Sequence, residues 1–394
     1  MIDFPASPTL GQQFTAAGVT WTWDGTKWTA QGLSVAYLPL AGGTMTGPIV
    51  LSADPAAAMQ PVTLQYFNAR PMIGDNRIIN GDMRIDQRNN GASGTAVNTY
   101  TVDRWAFNAS QTAKGTWQRF GVAAPSFPYA WRFTSSSAYA SLASDAFVLI
   151  QPIEADMISD FAWGTANAQP VTLSFWAFSS LSGVFGGSIR NQPSPSTRSY
   201  PFSYTLVAST WTKVVITIPG DTAGTWVMSG NAGGVAVQFD LGSGSTFLGP
   251  ANAWASANYL GATGEVSVVA VNAAQFFVTG VKLEVGNVAT PYNRQSLVKS
   301  LADCQRYYQT FNGYALTVLA NGSWSGTILN VYFQTAMRAT PTVTPTTTPG
   351  SGSGFVGVMG LVGCNTQWAL LQAVSVQTNT NAYAAVTGTL VAEL

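Results

Sequence analysis

Histidine is absent from this 394-residue chain. That absence removes the commonest general base and metal ligand, and with it any Ser-His-Asp or Cys-His mechanism carried within the chain. Cysteine is nearly missing too. Cys304 and Cys364 stand far apart in sequence and make no disulfide framework, a usage that fits assembly in a reducing cytoplasm. Charge is scarce: 17 basic and 17 acidic residues, 9% of the chain, cancel to zero and form no Lys/Arg run. Nucleic-acid binding therefore lacks its electrostatic footprint. No apolar run reaches the ~18–20 residues of a membrane span. The nearest, Val266 to Val281, is broken by Asn272 and Gln275. The opening MIDFPASPTL has neither a basic nor an apolar region of the kind a signal peptide needs, so neither secretion nor membrane insertion is expected.

Hydrophobic residues make up 46%, aromatics 12%, and there are 39 glycines. Few charges with many aromatics is the reverse of a disordered composition, and the length allows two or more domains. A neutral surface self-associates readily, so subunit contacts are expected.

Residues 1–32 centre on VTWTWDGTKWTA, a hairpin pattern. Asp24-Gly25 is a two-residue turn signal that sets Trp23 opposite Thr26 and Trp21 opposite Trp28, with all three tryptophans on one face. Such a face is either the core of a mini-domain or a docking surface. Residues 33–70 form a second unit, in which LPLAGGTMTGPIVLSADPAAAMQPVTLQYFN carries two helix starts, Asp54 before Pro55 and then Pro61. Each helix is shorter than the ~12–15 residues that are marginal alone in water, so the stripe through Leu64 and Phe67 needs an outside partner. The same stripe on identical chains is the simplest one.

From 71 to 295 short strand signals recur between Gly, Pro, Asn and Ser clusters: VTLSFWAF from 171, WTKVVITI from 211, GGVAVQFDL from 233, EVSVVAV from 265 and FFVTGVKLEV from 276. This spacing predicts an antiparallel β-sandwich or jelly roll. In the first of these strands Val171, Leu173 and Phe175 face one way, and Thr172, Ser174, Trp176 and Phe178 the other. From Ser296 the period becomes helical, with Leu297, Leu301, Cys304 or Gln305, and Tyr308 in one stripe over about three turns. Beyond it, YALTVLA, TILNVYF, WALLQAVSV and TGTLVAEL read as strands of a small β-rich tip domain, 296–394, and TPTVTPTTTPGSGSG as a strand start followed by a flexible loop. The fold class is mainly β throughout.

Three stretches carry a family resemblance. The 38–68 segment resembles the L-P-L-x-G-G-T-M-T-G-x-I…D-P-x-x-A repeat of bacteriophage tail fibres. Ile79–Asn89 with Asp103–Trp105, the closing Gly280–Tyr292 stretch, and the S-L-x-x-x-L-x-x-C-Q-R-Y-Y helix from Ser296 are similar to a fibre domain of the same family. The DFPASPT…WTWDGTKW opening looks like the N-terminal segments of fibre proteins, and TLSFWAFSS, STWTKVVITIPGDTAGTW and TGVKLEVG are similar to jelly-roll carbohydrate-binding modules. The resemblance implies a phage or prophage tail fibre located in the virion. It would be a homotrimer joined at the neck by Leu64 and Phe67, attached to a tail or baseplate protein through residues 1–32, and would bind a bacterial surface polysaccharide during host adsorption. The alternatives are a purely structural fibre or collar component and a capsule depolymerase.

Two acidic clusters hold residue types that could carry chemistry. Glu154, Asp156 and Asp160 in QPIEADMISDF supply the carboxylates that glycoside hydrolysis needs, but the segment reads as an ordinary β-edge. Asp82, Asp86, Asn89 and Asn90 in GDMRIDQRNNG offer oxygen donors for a structural calcium, yet Arg88 falls where a calcium loop needs an oxygen ligand. No catalytic residue, metal ligand or cofactor is assigned beyond that calcium option. Aromatics remain: sugar C–H faces stack on Trp and Tyr while amides and charged groups address the hydroxyls. Trp105, Trp211 and Trp226 read as packing. Trp324, in the loop NGSWSG, with Trp176 and Phe178, are the candidate glycan contacts.

Overall fold

A computed structural model describes residues 2–16, 18–30, 75–192, 197–317, 327–349, 359–373 and 382–394. Leu64, Phe67, Trp324 and the whole of the 33–70 neck lie outside the described residues. The chain divides into two compact units between residues 67 and 68.

The first unit is a three-stranded antiparallel sheet of β1 (Gln13–Ala16), β2 (Val19–Trp23) and β3 (Trp28–Ala30). Trp23 lies across from Trp28, not Thr26, and Trp21 across from Ala30. The connection is thus four residues long, not two, because the Asp24 carboxylate accepts from the Thr26 and Lys27 backbone N–H groups and from the Thr26 hydroxyl, building an Asx turn. The tryptophans share a face as expected. Phe4 closes it, stacked on Trp28 at 5.4 Å and edge-on to Trp21 at 5.2 Å.

The second unit is built on two facing sheets. One holds six strands in the order β11-β10-β13-β8-β5-β4: β4 (Thr99–Tyr100), β5 (Ala106–Ala109), β8 (Phe147–Glu154), β10 (Gly183–Asn191), β11 (Ser199–Leu206) and β13 (Gly233–Asp240). The other has five, ordered β12-β9-β16-β7-β6: β6 (Gly115–Ala124), β7 (Phe127–Ser135), β9 (Val171–Ser179), β12 (Thr212–Ile218) and β16 (Gln275–Val285). Alternation turns Phe107, Phe147, Leu149, Phe239, Leu173, Phe175 and Phe276 into one shared core. Phe175 meets Phe239 at 4.9 Å and Tyr204 at 5.1 Å, both edge-on, which locks the layers face to face.

Two expected features differ here. EVSVVAV is not a strand but an irregular turn-rich connection. Val268 and Val269 are both fully buried, which adjacent residues of a one-face-buried strand cannot be, and positive-φ bends at Gly264 and Ala273 flank them. QPIEADMISDF is no edge either. Its first half completes β8, between β13 and β5, and its second half is a 3-10 helix, Ala155–Phe161.

The six-stranded sheet is covered on its outer side as well. The connection from 243 to 266, including the short parallel pair β14 (Leu248–Gly249) and β15 (Gly261–Ala262), lies over β10 and β13: Ser188 Oγ donates to Tyr259 O, and Gln238 Nε2 donates to Ser188 Oγ. Its Glu265 lies over Gly186, where a Cβ would come 1.7 Å from a Glu265 oxygen, and Glu265 and Asp240 of β13 both border Gly261.

A helix, Leu297–Gln305, follows, capped by the Ser296 hydroxyl accepting from Lys299 N. Its buried face is Ser300 and Cys304, continuing to Tyr307, while Leu297 is 57% exposed. The expected stripe holds at Cys304 and Tyr308 and fails at Leu297 and Leu301, which leave the inner place to Ser300. Ser300 takes the inner place because its hydroxyl accepts from Arg84, a polar contact that apolar periodicity cannot register.

The remaining strands form a small sandwich. One sheet is ordered β17-β22-β19, from β17 (Tyr308–Thr317), β19 (Thr342–Pro349) and β22 (Ala382–Val391), and the other β18-β21-β20, from β18 (Thr327–Tyr332), β20 (Met359–Cys364) and β21 (Trp368–Ala373). The Thr/Pro run expected to start a strand makes eight residues of one. It lies at a sheet edge, where Pro345 and Pro349 need donate no ladder hydrogen bond. Val331, Met359, Leu371 and Val386 give this sandwich a hydrophobic core of its own.

A buried ionic junction ties it to the larger sandwich. Glu393 pairs with Arg104, which is 1% exposed, and with Arg88 at 2.8 Å; Arg104 lies 3.5 Å from the Tyr307 ring centre and Arg88 3.9 Å from that of Tyr308. Glu154 accepts from Arg306 at 2.7 Å and from the Tyr307 hydroxyl. Among the described residues no helix is long and apolar enough to cross a membrane.

Candidate functional site

The outer face of the five-stranded sheet is where the larger sandwich leaves aromatic side chains in contact with solvent. Strict alternation in β9 puts Val171, Leu173, Phe175 and Ala177 in the core and sends Trp176 and Phe178 outward, both half-buried. Register then assembles the face. Phe178 is paired with Phe277 of β16, Phe277 with Arg132 of β7, and Arg132 with Gln118 of β6. Trp211, just before β12, extends the row at the other end: Phe178 to Trp211 is 5.5 Å and Phe178 to Phe277 5.2 Å, edge-on. Phe120 adds a ring 6.1 Å from Phe277.

The Arg132 guanidinium lies 3.9 Å from the centre of the Phe120 ring and donates to Gln118 Oε1 at 2.6 Å. Removal from water lowers its pKa from the ordinary arginine value. One step along the strands, Trp176 has Lys213 opposite it on β12 and Thr279 on β16. Beyond them a hollow of about 410 Å³ opens, lined by Trp176, Lys213, Ser174, Phe127, Tyr292 and Arg294.

The hollow has a built wall. Gly280 takes φ +61° at a bulge in β16, and a Cβ there would strike the Phe127 ring at 2.5 Å. Phe127 stands edge-on to Tyr292 at 5.1 Å. The Thr290–Tyr292 segment is pinned by Lys282 and Glu284, both fully buried: Lys282 Nζ is 3.0 Å from Glu284, and Glu284 accepts from Thr290 N at 2.8 Å. Burial pushes the Tyr292 phenol up, so it stays a neutral donor at any working pH.

The strand order and two-layer core settle the architecture. The fold is a jelly-roll β-sandwich. No family model matches the chain, and no curated protein does. Among solved structures it is similar to the enzymatically active domain of tailspike protein 4 from bacteriophage CBA120, at 12% identity and TM-score 0.30, over 53% of this chain and 21% of that one. It is also similar to a Bacteroides thetaiotaomicron protein described as sugar-binding, at 12% identity and TM-score 0.34, over 54% of this chain and 100% of that one. A third likeness is to the family 11 carbohydrate-binding module of Clostridium thermocellum, at 11% identity and TM-score 0.27, over 50% and 98%. Each score lies below 0.5, and the functional reading rests on the face itself.

Other candidates take structural places. Trp105 is fully buried, its indole donating to Asn80 O, and Trp226 packs edge-on to Trp163 at 4.8 Å and Trp254 at 5.5 Å. Trp211, expected to pack, instead joins the outer row. The three carboxylates tested for hydrolysis do not face one another as a pair: Glu154 holds Arg306 and Tyr307, Asp156 accepts from Gly230 N at 2.6 Å, and Asp160 pairs with Arg77 at 2.6 Å. In the calcium-like loop Asp82 lies between Arg84 at 2.5 Å and Arg294 at 3.6 Å, and Asp86 accepts from Asn89 N and Gly91 N. That arrangement suits guanidinium groups, and among the described residues no group of three potential side-chain ligands gathers for a metal.

Phe277, Phe120, Arg132 and Lys213 escaped sequence reasoning. One signal was there: in Phe276-Phe277 two adjacent strand aromatics must take opposite faces, so one of them had to leave the core.

Proposed function

We propose that this chain is a phage or prophage tail-fibre protein that binds a bacterial surface polysaccharide on the open face of its five-stranded sheet, without catalysis. The observation that carries the reading is the contrast between the two sheets. The outer side of one is covered over β10 and β13 by the 243–266 connection, while the other presents half-buried Trp176, Phe178 and Trp211 beside the amide of Gln118 and the charges of Arg132 and Lys213. Rings offer flat apolar area for sugar C–H faces, and the polar groups beside them address hydroxyls. Residues 1–32 would attach to a tail or baseplate protein, the neck would set a homotrimer, and the particle would carry the fibre in its tail.

Binding is tested by titrating the full chain on envelope polysaccharide from candidate hosts, wild type against Trp176→Ala and Phe178→Ala. Saturable binding that both substitutions weaken is expected; binding that neither changes would overturn the site. Light scattering should give about three times the 41.5 kDa chain mass, and a monomer would refute the trimer. Val215, 47% exposed beside the face, favours a second reading in which a further copy covers it. Iodide quenching of Trp176 in the assembled particle separates the two, since an interface would shield it.

A further inference from the structure

We infer that the glycan recognised is acidic, a polymer carrying carboxylates on more than one sugar. This deepens the reading of the open face as a glycan site and rests on it. In a chain with as many acids as bases, most cations of the larger sandwich have a carboxylate nearby: Arg84 has Asp82, Arg198 has Asp221, Arg77 has Asp160, while Arg190 is held by Asn258 and Lys114 by the Tyr139 ring. Arg132 and Lys213 have no such carboxylate. Among the described residues Arg132 is held by an amide oxygen and an aromatic ring, and Lys213 stands exposed beside Trp176.

The face also lacks the opposite sign. Among the described residues the carboxylate at an outward position of these five strands is Glu284, which is fully buried and committed to Lys282. An approaching anion therefore meets two cations and no exposed acid, with ring faces between them. Arg132 presents a planar fork suited to a carboxylate, and Lys213 a mobile point charge. Three strand spacings and one two-residue step separate them, roughly 16 Å at the backbone. A single sugar ring does not bridge that gap, so the two charges call for a polymer.

The test uses the full chain on immobilised polygalacturonate, with dextran and galactomannan as neutral polymers, at low salt and at about 0.15 M. Expected are tighter binding to polygalacturonate, a loss of affinity with salt, and about tenfold weakening from Lys213→Gln and from Arg132→Gln. Lys299→Gln, on the helix, should change nothing, and melting curves check that the variants fold. Equal binding of neutral polymers, or no effect of either substitution, overturns the acidic class. Neutral binding that Trp176→Ala abolishes leaves the glycan reading standing and sinks the acidic one alone. Polymer binding unaffected by Trp176→Ala and Phe178→Ala, or no binding to any of the three polymers, counts against both.

Discussion

Replacing Glu393 with Gln should uncouple the C-terminal sandwich from the jelly roll. Glu393 is the shared anion for two cations, with Arg104 on one oxygen and Arg88 on the other. Arg88 keeps Asp103 at 3.6 Å after the change, but Arg104, 1% exposed, keeps only neutral partners: the Pro152 carbonyl at 2.7 Å and the Tyr307 ring. Leaving one buried charge without its partner costs about 3–5 kcal/mol. The cost falls on the junction, because each sandwich has its own apolar core. Calorimetry should then resolve two transitions, with the C-terminal one lowered by about 12 °C or more, on the scale of 4 °C per kcal/mol for a domain near this size. Limited proteolysis should trim that region first. Arg104→Met combined with Glu393→Leu, which removes both charges, should recover most of the loss. A Glu393→Gln variant with an unchanged melting profile would refute the claim that this pair holds the junction.

Glu265 and Asp240 supply a pH prediction. Burial raises both carboxyls, and the Asp240 charge raises Glu265 further while a hydrogen bond from Glu265 favours the Asp240 carboxylate; Glu265 Oε1 and Asp240 Oδ2 have no other hydrogen-bond partner, so a proton held on Glu265 provides the missing donor. A raised carboxyl pKa contributes stability that is complete below the unfolded value near 4 and is lost as pH rises through the folded value. Glu265→Gln, which cannot ionise, should therefore melt higher than wild type at about pH 8 and not at about pH 3; the opposite order would place a cation there instead. Gly280→Ala should destabilise by more than about 1 kcal/mol, since φ +61° disfavours Ala and the new methyl strikes Phe127; an unchanged denaturation midpoint would show that the bulge relaxes freely. Phe175→Ala should cost about 3–5 kcal/mol and Phe178→Ala distinctly less, because the first fills the core and the second borders solvent. Equal losses in urea unfolding would contradict that assignment.

Where apolar and polar side chains alternate along a strand, the sequence was enough to read it. VTLSFWAF yields β9 with the correct inward and outward sets, and FFVTGVKLEV yields β16, because period-two alternation is imposed locally by the pleat. The misreadings share a different cause. EVSVVAV alternates well enough, yet consecutive Val268 and Val269 are both buried, and its backbone is held by bonds outside any ladder: Val266 N donates to Val184 O of β10, Val269 N to Leu241 O, and Tyr139 N to Val269 O. The first turns of the helix stripe were misplaced because Arg84, more than two hundred residues upstream, satisfies Ser300 on the inner face, whereas Cys304 and Tyr308 are buried as expected. The Asp24 turn lengthened because a side chain competed with the backbone for the same N–H groups.

The site obeys the same division. Alternation could say that Trp176 and Phe178 leave the core together, but their neighbours come from pairing: Lys213 from β12, Phe277 from β16 and Arg132 one strand further. Nor does any local pattern say which outward face stays open. Outward residues of the six-stranded sheet, such as Gln238, Asp240 and Arg190, are as polar as a solvent-facing surface, yet they lie buried beneath the 243–266 connection. The aromatic outward positions of the other sheet read like core and stay at the surface. Side-chain polarity thus gives the wrong side in both sheets, and the difference lies in coverage. A surface that keeps exposed rings while polar groups are buried nearby is under a constraint other than stability, since burying those rings would be favourable by roughly 1.5–3 kcal/mol for each. Ligand contact, or contact with another copy of the chain, supplies that constraint, and the unpaired Lys213 and Arg132 favour a ligand of opposite charge over a two-fold contact of this face with itself, which would bring the same two cations together.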